Sequence, residues 1–503
     1  MTSPTDLTRR RLLGSVGALG AAMPFASVSA ADLQEAGRLR SMAKSPAGAK
    51  PWLGLNAPDP SVRETFPEVT VRYLEAMDAK LARMSPRQIA ARVKELSAAD
   101  EHWRRRKCIS LRAAEGVMGT ASQSLLNSSL ATRVSEGFPG DKSFPGIRGT
   151  DEYLDEVEAT LIFQLRRLFG AKYIEWRPLS NSMANAMPYL VLTRPGDVVL
   201  AQSWIGGGAN AANTPNGPGG LKDLVFLEMP FHDNYQHDVE GIRRLARAAR
   251  PKIIVAGGGY VLFPYPLREL RSIADEVGAM LMYDAAHLAI LIAGGVFQQP
   301  LREGADVMTM STHKAFGGPV GGVILTNDAA IAAPIMHRTV NGFLQTRDAN
   351  KLVAASHAVA EVTEFGAQCA GQMVKNAQAL AAALADEGFK PLARDQGYTR
   401  THQVIVDVED EGPKKVRAAC MASNILVQGA NLAREATRKD VADGIPLGLR
   451  LSAAEITRLG MLEPQMKLVA RFMRRAVAGE PSERLSAEIE EFLKDYQTVR
   501  YTF

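Results

Sequence analysis

From about residue 151 onward, short apolar runs alternate with segments whose apolar residues recur at helical spacing. Helical spacing is clearest in Val239 to Ala249 and Leu267 to Val277. The apolar runs that predict buried strands are Val198 to Ala201, Leu224 to Leu227, Ile253 to Ala256, Met280 to Tyr283, Val307 to Met310 and Gly322 to Leu325. This alternation predicts an α/β fold, in which a mostly parallel sheet carries helices on both faces and binds ligands at the carboxyl ends of its strands.

The regions on either side of the predicted sheet have a different pattern. Before it, Val71 to Met84 and Pro86 to Lys107 have helical periodicity, and Ser85 is a cap residue directly before a proline at the first helical position. After it, a long helix is predicted from about Asn350 to Glu387. The segments that predict a strand and two helices of a smaller α+β lobe are His402 to Val408 and the stretches after Glu463 and Ser486.

These patterns divide the chain into four predicted regions. Residues 1–30 form a leader, and residues 31–150 form an arm followed by the first helical segment. Residues 151–350 form the large domain with the predicted sheet. Residues 351–503 contain the linking helix and the smaller C-terminal domain.

The composition is that of a soluble globular protein, because 46% of the 503 residues are hydrophobic and 22% are charged. The formal net charge of +5 is small for this length, so no nucleic-acid partner is expected. Cys108, Cys369 and Cys420 lie far apart and lack the spacing of metal ligands or of a disulfide framework. They are predicted to be buried as small apolar side chains, and no metal site is predicted.

The leader has the pattern of an export signal. Arg9 and Arg10 precede a weakly apolar run from Gly14 to Phe25, and the small residues Ala26 to Ala30 follow. A twin arginine before such a run is typical of the Tat route, which predicts a periplasmic or exported protein from which residues 1–30 are removed. The run is too short and too rich in glycine and alanine for a stable membrane span. The alternative is a basic leader that is never cleaved.

Two candidate catalytic residues follow predicted strands. Asp284 ends the apolar run Met280 to Tyr283, and Lys314 ends the segment Ser311 to Lys314, which runs into a glycine-rich stretch. Pyridoxal 5'-phosphate chemistry needs a lysine amine to hold the cofactor as a Schiff base and a carboxylate to keep its pyridine nitrogen protonated. A lysine after a strand is, by itself, more often a solvated loop residue. The two residues together predict a pyridoxal-phosphate site.

A third feature suits the phosphate group of that cofactor. The segment Ser180-Asn181-Ser182 directly precedes a helix predicted from Ala184 to Leu192. Hydroxyl side chains and free backbone N–H groups at a helix N-terminus bind phosphate well. The alternative is an ordinary helix cap. Because the segment occurs in order with Asp284 and Lys314, we interpret it as the phosphate-binding loop.

Five segments, taken as an ordered set, resemble the serine hydroxymethyltransferases over about Cys108 to Met461. The segments are Ser135 to Gly140, Arg177 to Asn185, Tyr283 to His287, Ser311 to Lys314, and Leu449 to Ser452. The resemblance implies the aspartate aminotransferase-like fold of pyridoxal-phosphate-dependent transferases, with a mostly parallel seven-stranded sheet in the large domain and a smaller C-terminal α+β domain. It also implies a homodimer.

The resemblance assigns cofactor contacts to single residues. Asp284 would pair with the pyridine nitrogen, and His287 would lie near the cofactor O3′. His313 would adjoin the phosphate and the Schiff-base residue Lys314. The other cofactor-binding candidates, in the phosphate loop and before the lysine, are Ser180, Asn181, Ser182 and Ser311.

The resemblance also implies the substrate contacts. Arg450 would grip the substrate carboxylate as a bidentate fork, a task that suits a guanidinium better than an ammonium group. Glu136 would act as the acid or base that faces the β-hydroxyl, and His287 and Lys314 complete the catalytic set. The alternatives are a core histidine at His287, a structural ion-pair partner at Arg450 and a surface carboxylate at Glu136.

Several positions depart from the family pattern at substrate and folate contacts. Ala209 or a neighbouring glycine stands where the family has a ring-stacking histidine, Ala114 replaces a serine, and Val134 replaces a tyrosine. The stretch between Gly140 and Gly149, where the family has paired tyrosines, is altered as well. Reduced folates are chiefly cytoplasmic, whereas the leader predicts export. These features predict that tetrahydrofolate is not required.

We therefore expect a pyridoxal-phosphate enzyme that acts at Cα–Cβ of β-hydroxy amino acids, as a hydroxymethyltransferase-like enzyme, an aldolase or a transaldolase. Its partner would be a small-molecule amino-acid substrate. One alternative is a transaminase or lyase that acts on an exported metabolite, because the same aspartate and lysine serve many reactions on this fold. Another is a catalytically silent binding protein, against which the presence of both Asp284 and Lys314 argues.

Overall fold

A computed structural model of the chain describes residues 67–133, 136–142, 151–202, 217–232, 236–345, 347–437 and 445–503. The predicted leader and most of the predicted arm lie outside these residues. Ser135, Val134 and Ala209, and the stretch 143–149, also lie outside them, so the expectations that rest on these positions stay predictions.

Strands and helices are numbered in chain order over the described residues. The strands are β1 (Ile109–Ser110), β2 (Gly137–Phe138), β3 (Asp141–Lys142), β4 (Tyr173–Glu175), β5 (Val198–Ala201), β6 (Val225–Glu228), β7 (Ile253–Gly257), β8 (Met280–Asp284), β9 (Val307–Ser311), β10 (Gly322–Thr326), β11 (Lys390–Pro391), β12 (Gln403–Asp407), β13 (Ile425–Leu426), β14 (Gln428–Ala430) and β15 (Gly448–Ser452). The helices are α1 (Glu68–Leu81), α2 (Pro86–His102), α3 (Thr120–Ser124), α4 (Glu152–Phe169), α5 (Asn181–Leu192), α6 (Pro218–Leu221), α7 (Val239–Ala249), α8 (Leu267–Val277), α9 (Ala289–Ala293), α10 (Ala329–Arg338), α11 (Ala349–Asp386), α12 (Pro413–Ala422), α13 (Ala454–Arg458), α14 (Glu463–Val477) and α15 (Ser482–Leu493).

The large sheet has seven strands within the described residues, in the order β4-β10-β9-β8-β7-β5-β6. Strand β10 is antiparallel to β4 and β9, and the other pairs are parallel. The six predicted strands all occur, with ends that differ from the prediction by at most one residue. The mostly parallel α/β sheet is therefore confirmed.

Both faces of this sheet are buried, as expected for parallel strands covered by helices. In β8, Leu281 and Tyr283 belong to one apolar cluster, whereas Met282 between them belongs to a second cluster. Side chains alternate between the two faces of a strand, so the two clusters lie on opposite sides of the sheet. This double burial explains why the strands are continuous apolar runs.

The first described helices lead into the smaller lobe. Helix α2 begins with the predicted cap, since the Ser85 hydroxyl and the Gln88 side chain form a reciprocal capping box. The α-helix ends at His102, and a π-helical turn, Trp103–Lys107, continues it, so the predicted extent to Lys107 is right but the helix type changes. Strand β1 then pairs with β13 in parallel.

The smaller lobe contains a four-stranded antiparallel sheet in the order β11-β12-β15-β14. The predicted strand at His402 to Val408 is β12. Helix α11, 38 residues long, spans both lobes because Val359 and Val362 pack in the core of the large lobe and Leu380 and Leu384 in that of the smaller lobe. The strand that carries Arg450, β15, lies between β12 and β14 in this sheet and is paired on both sides.

The three cysteines are buried and unpaired, as predicted. Among the described helices, none combines the length and the apolar composition needed to cross a bilayer. In the same part of the chain, no cluster of three or more histidine, cysteine or acidic side chains is arranged to hold a metal ion.

Candidate active site

Polar residues collect at the carboxyl ends of the central parallel strands. Gln202 follows β5, Asp284 ends β8 and Ser311 ends β9, and all three are buried. Gly257, at the end of β7, pairs with Asp284 at a φ of +85°, and a Cβ there would lie 2.1 Å from the Asp284 carbonyl oxygen. Only glycine permits this approach, so the strand end leaves room for the polar cluster.

Among the described residues, three N–H groups donate hydrogen bonds to Asp284. Asn181 Nδ2 and the backbone N–H of Ala286 each donate to Oδ1 at 2.9 Å, and Asn185 Nδ2 donates to Oδ2 at 2.7 Å. The Thr309 hydroxyl in turn donates to the Asn185 amide oxygen, which fixes which way that amide points. With 1% of the residue exposed, these donors replace the water that a carboxylate would otherwise bind.

Lys314 lies on a tightly packed loop between β9 and β10. A Cβ on Gly116 would lie 2.1 Å from the Lys314 carbonyl oxygen, so the segment after β1 packs directly against the lysine backbone. The Lys314 amine lies 3.1 Å from His287 Nε2. Burial lowers the pKa of Lys314 to about 8; the Asp284 carboxylate opposes this shift and the Arg450 guanidinium adds to it.

His287 connects the lysine to the smaller lobe. Its Nε2 faces both the Lys314 amine and, at 3.3 Å, Arg450 Nη1. Burial and these two cations hold the pKa of His287 well below its usual value. Because both neighbours are N–H donors, we assign the ring as neutral, with the acceptor at Nε2 and the proton at Nδ1.

A second histidine, which the sequence interpretation missed, fixes the backbone of the first. His402 Nε2 donates to the His287 carbonyl oxygen at 2.8 Å, and His402 Nδ1 accepts from the Ser452 hydroxyl at 2.9 Å. Burial lowers the pKa of His402 to about 4, which keeps this ring neutral. Ser452 ends the strand that carries Arg450, so the histidine contacts tie that strand to the cofactor side of the site.

Arg450 extends from β15 and is 5% exposed. Its Nη1 donates to the Gly259 carbonyl oxygen at 2.5 Å, and its Nη2 donates to the Gln428 amide oxygen at 2.7 Å. The guanidinium carbon lies 5.1 Å from the centre of the Tyr260 ring. Burial lowers the pKa of Arg450 to about 10, which still leaves it charged at neutral pH.

The predicted phosphate loop begins helix α5. Ser180 is its N-cap, and the Ser180 hydroxyl oxygen accepts from the Met183 backbone N–H at 3.3 Å, so the ordinary capping role is present whatever else the loop binds. Asn181 is buried and Ser182 is exposed. A Cβ on Gly322 would lie 2.3 Å from the Ser180 carbonyl oxygen, so this loop packs against the glycine-rich stretch that follows Lys314.

Several buried polar atoms around this edge have no hydrogen-bond partner in the described part of the chain. They are Asn181 Oδ1, Gln202 Oε1, Ser311 Oγ and His313 Nδ1. Buried polar groups are normally paired, so these atoms suit a bound polar ligand. Burial and the Lys314 charge lower the pKa of His313 to about 4, which leaves a neutral ring beside the lysine. The residues present therefore fit pyridoxal phosphate.

Glu136 directly precedes strand β2. The Gln345 amide donates to Glu136 Oε2 at 3.5 Å, and Arg177 Nη2 donates to the neighbouring Gly137 carbonyl oxygen at 3.0 Å. Glu136 is only half-buried. Its acid or base role stays a prediction.

The structure brings together residues that the sequence interpretation did not select. Besides His402, they are Asn185, Gln202, Thr309 and Gln428. A polar residue at the end of a buried strand is a usable signal for Gln202, because that edge of the sheet binds ligands. Gln428 gives no such signal, since its importance depends on which strand lies next to β14.

Comparisons with known proteins agree with this geometry. A family model described as "Serine hydroxymethyltransferase" matches residues 89–473. The chain is 38% identical to the serine hydroxymethyltransferase of Thermococcus onnurineus over 417 residues, which are 82% of this chain and 96% of that protein. It is 36% identical to the serine hydroxymethyltransferase of Korarchaeum cryptofilum over 432 residues, 84% of this chain and 98% of that protein.

A solved structure is similar in fold. It is described as the crystal structure of L-threonine transaldolase from Pseudomonas fluorescens in the internal aldimine state. The TM-score is 0.74 at 24% sequence identity, and the match covers 83% of this chain and 95% of the other. At this identity the likeness concerns the fold, and it agrees with the predicted aspartate aminotransferase-like architecture.

Proposed function

The chain belongs to the serine hydroxymethyltransferase family, and from this premise we propose that it is a pyridoxal-phosphate enzyme that breaks or forms the Cα–Cβ bond of β-hydroxy amino acids. One observation carries the proposal. His287 contacts both Lys314 and Arg450, and Asp284 interacts electrostatically with Lys314. An amine, an acceptor, a carboxylate and a guanidinium are the groups that such a reaction needs.

Pyridoxal phosphate, when bound, supplies the electron sink that stabilises negative charge at the substrate Cα. Lys314 is the amine for the cofactor aldehyde, and its lowered pKa makes the neutral, nucleophilic form accessible near neutral pH. Asp284, fixed by its three donors, would hold the proton on the pyridine nitrogen. Ser311 Oγ and His313 Nδ1, which have no partner in the part of the chain that the structure describes, are available for the cofactor oxygens.

The substrate contacts follow from the other side of the site. Arg450 would bind the α-carboxylate and thereby set which bond at Cα is cleaved. His287 Nε2, an acceptor between Lys314 and Arg450, is a candidate base for the proton of the β-hydroxyl. Glu136 is the other candidate, by family resemblance.

Product analysis tests this function. Incubation of the loaded protein with L-threonine, allo-threonine or a β-hydroxy amino acid with a larger side chain should yield glycine and the corresponding aldehyde, detected by mass spectrometry. A keto acid as the product would instead favour the transaminase alternative. Cofactor binding with no product from any of these amino acids would favour the silent binding protein.

We also propose that the reaction does not need tetrahydrofolate. The substitutions at Ala114, Val134 and Ala209 support this, and so does the altered stretch between Gly140 and Gly149. Cleavage of an amino acid larger than serine should then proceed at equal rates with and without tetrahydrofolate. A strict folate requirement, with serine as the best substrate, would contradict the proposal.

Export by the Tat route remains part of the proposal, on the strength of the leader alone. Replacement of Arg9 and Arg10 by lysine should leave the protein in the cytoplasm with residues 1–30 attached. The wild-type protein should be found shortened and outside the cytoplasm. Recovery of full-length wild-type protein from the cytoplasm would refute this part.

Finally, we propose a homodimer. Besides the family resemblance, exposed apolar side chains support it: Leu179 beside the phosphate loop, Val320 in the glycine-rich stretch and Phe343 after α10 are 43%, 54% and 54% exposed. Light scattering should give twice the monomer mass. The paired change Val320→Glu with Phe343→Glu should give monomers, and a wild-type monomer at micromolar concentration would be the contrary result.

A further inference from the structure

Arg450 is a buried cation whose hydrogen-bonding neighbours are all neutral. Its acceptors are the Gly259 carbonyl oxygen at 2.5 Å, the Gln428 amide oxygen at 2.7 Å and the neutral His287 ring at 3.3 Å, with Tyr260 beneath its plane. Within the described ranges, no carboxylate lies at ion-pair distance from it. Buried charges are normally paired with an opposite charge. The Arg450 guanidinium has no such partner among the described residues, so an anionic ligand would supply it.

The guanidinium also keeps hydrogen-bonding capacity in reserve. An arginine has five N–H donors, and the three contacts above use one on Nη2 and two on Nη1. The Nε atom of Arg450 is buried without a partner among the described residues. The free donors, on Nε and Nη2, are next to each other on the planar fork, the arrangement that matches two carboxylate oxygens.

Gln428 contacts the Arg450 guanidinium with a neutral amide, which leaves the positive charge of the arginine uncompensated. It pairs directly with Arg450 in the antiparallel register of β14 and β15, so the two side chains extend from the same face of the sheet. The residue that pairs with Arg450 on its other side is the apolar Ile405. A glutamate at position 428 would have nearly the same shape, but it would supply a carboxylate.

We propose that Gln428 is a positioning residue that sets the affinity for the substrate carboxylate, because its amide fixes the Arg450 guanidinium without neutralising it. The inference rests on the proposed function, in which Arg450 binds that carboxylate. The ligand class it implies is amino acids with a free α-carboxylate, in preference to amines, amides or esters of the same size.

The test compares the loaded wild-type protein with Gln428→Glu and Gln428→Met. Glycine and glycinamide, which keeps the amine but lacks the carboxylate, are titrated while the absorbance of the bound cofactor is followed. In Gln428→Glu the internal carboxylate would compete for Arg450, so the dissociation constant for glycine should rise about ten- to hundredfold. The constant for glycinamide should change by less than about threefold, because glycinamide offers no carboxylate for the arginine.

Thermal unfolding gives a second readout that does not depend on activity. Gln428→Glu should raise the melting temperature, because the new ion pair satisfies a buried charge, whereas Gln428→Met should lower it, because the arginine loses an acceptor. Gln428→Met should weaken glycine binding less than Gln428→Glu does. As a matched control, Gln378→Glu changes another half-buried glutamine, which donates to the Thr399 carbonyl oxygen, and should leave glycine affinity unchanged.

Three results would overturn the inference. Unchanged glycine binding in Gln428→Glu would show that the amide is not needed, and equal weakening of glycine and glycinamide would show a general structural defect. A wild-type protein that does not prefer glycine to glycinamide would remove the premise, since Arg450 would then not bind the carboxylate. Only this last result bears on the proposed function as well, so the two failures are distinguishable.

Discussion

Asp284 and Arg450, the two charged residues on either side of Lys314, differ in the hydrogen-bond partners that the protein supplies to them. Asp284, on the large sheet, receives three N–H donors from the protein itself. Arg450, on the smaller sheet, has only neutral acceptors among the described residues and retains unpartnered N–H groups. The comparison teaches that the carboxylate on the cofactor side is already hydrogen-bonded by the protein, whereas the guanidinium on the substrate side keeps N–H donors for the carboxylate of the substrate.

The two sheets explain this difference. Asp284 lies at the edge where the five parallel strands β5 to β9 end, so neighbouring loops and the first turn of α5 converge on it. Arg450 lies within an antiparallel strand and meets mainly its cross-strand partner and one loop. His287 and His402 connect the two sides through hydrogen bonds.

The largest expected effect is the loss of the residue that both sides share. Lys314→Ala should lower turnover at least about a thousandfold, because the proposal assigns the bond to the cofactor aldehyde to this amine alone. The visible absorbance of the bound cofactor should shift to that of the free aldehyde. Near-normal turnover in this variant would mean that another lysine binds the cofactor aldehyde.

A change on the cofactor side should come next. Asp284→Asn should reduce turnover about a hundred- to a thousandfold, since a neutral amide cannot stabilise a protonated pyridine. It also turns one oxygen into a donor that faces Asn181 or Asn185, so the melting temperature should fall as well. Cofactor binding should persist. The role is wrong if the rate stays within a fewfold of wild type.

The matching change on the substrate side should act on affinity rather than on rate. Arg450→Lys keeps the charge but loses the planar fork, so KM for β-hydroxy amino acids should rise about ten- to hundredfold while kcat changes less. Cofactor loading should stay normal, in contrast to the Lys314 change. Steady-state kinetics decides the matter, and a loss confined to kcat would contradict the assignment.

A smaller effect should come from the support of Asp284. Asn185→Ala removes one donor, and Thr309→Val removes the hydroxyl that orients that donor. We expect turnover to fall about three- to tenfold in the first variant and less in the second. Arg450-dependent KM values should not move in either one. An unchanged kcat in both variants would show that the other groups that contact Asp284 suffice.

The smallest expected effect is on the pH dependence of cofactor loading, which should report the lowered pKa of Lys314. Because burial lowers the pKa of Lys314 to about 8, its neutral form predominates above that pH. The rate at which pyridoxal phosphate bonds to the cofactor-free protein should therefore rise with pH around a midpoint near 8 and then level off. Lysine acetylated at its α-amine is the reference in solution, and a protein midpoint near the ordinary value of 10.5 would contradict the environment described for Lys314.

The residues most accessible to sequence interpretation are those whose signal is local. Asp284 and Lys314 each follow a continuous apolar run, so the sequence pattern alone predicts their place at the ligand edge of the sheet. Ser85 and Ser180 are predictable as helix caps because each is a serine directly before a helical segment, which is also a local signal. The large sheet as a whole is predictable because its strands are buried on both faces.

The features of the fold and the site that the sequence did not predict depend on contacts between distant segments of the chain. Strand β1 has two residues and exists only because it pairs with β13, more than three hundred residues later. Asn185 is part of a family motif, but its donation to Asp284 requires α5 and β8 to meet. Gln428 and His402 carry no sequence signal, since what matters is the side chain across the strand or the carbonyl oxygen above the ring.

The most direct test of the account is to identify the lysine that carries the cofactor. The loaded wild-type protein is reduced with borohydride, digested and mapped by mass spectrometry, with Lys314→Ala treated in parallel. The account predicts a pyridoxyl group on the peptide that contains Lys314 in the wild type and no such group on any peptide of the variant. A pyridoxyl group on a different lysine, or its absence from the wild type, would contradict it.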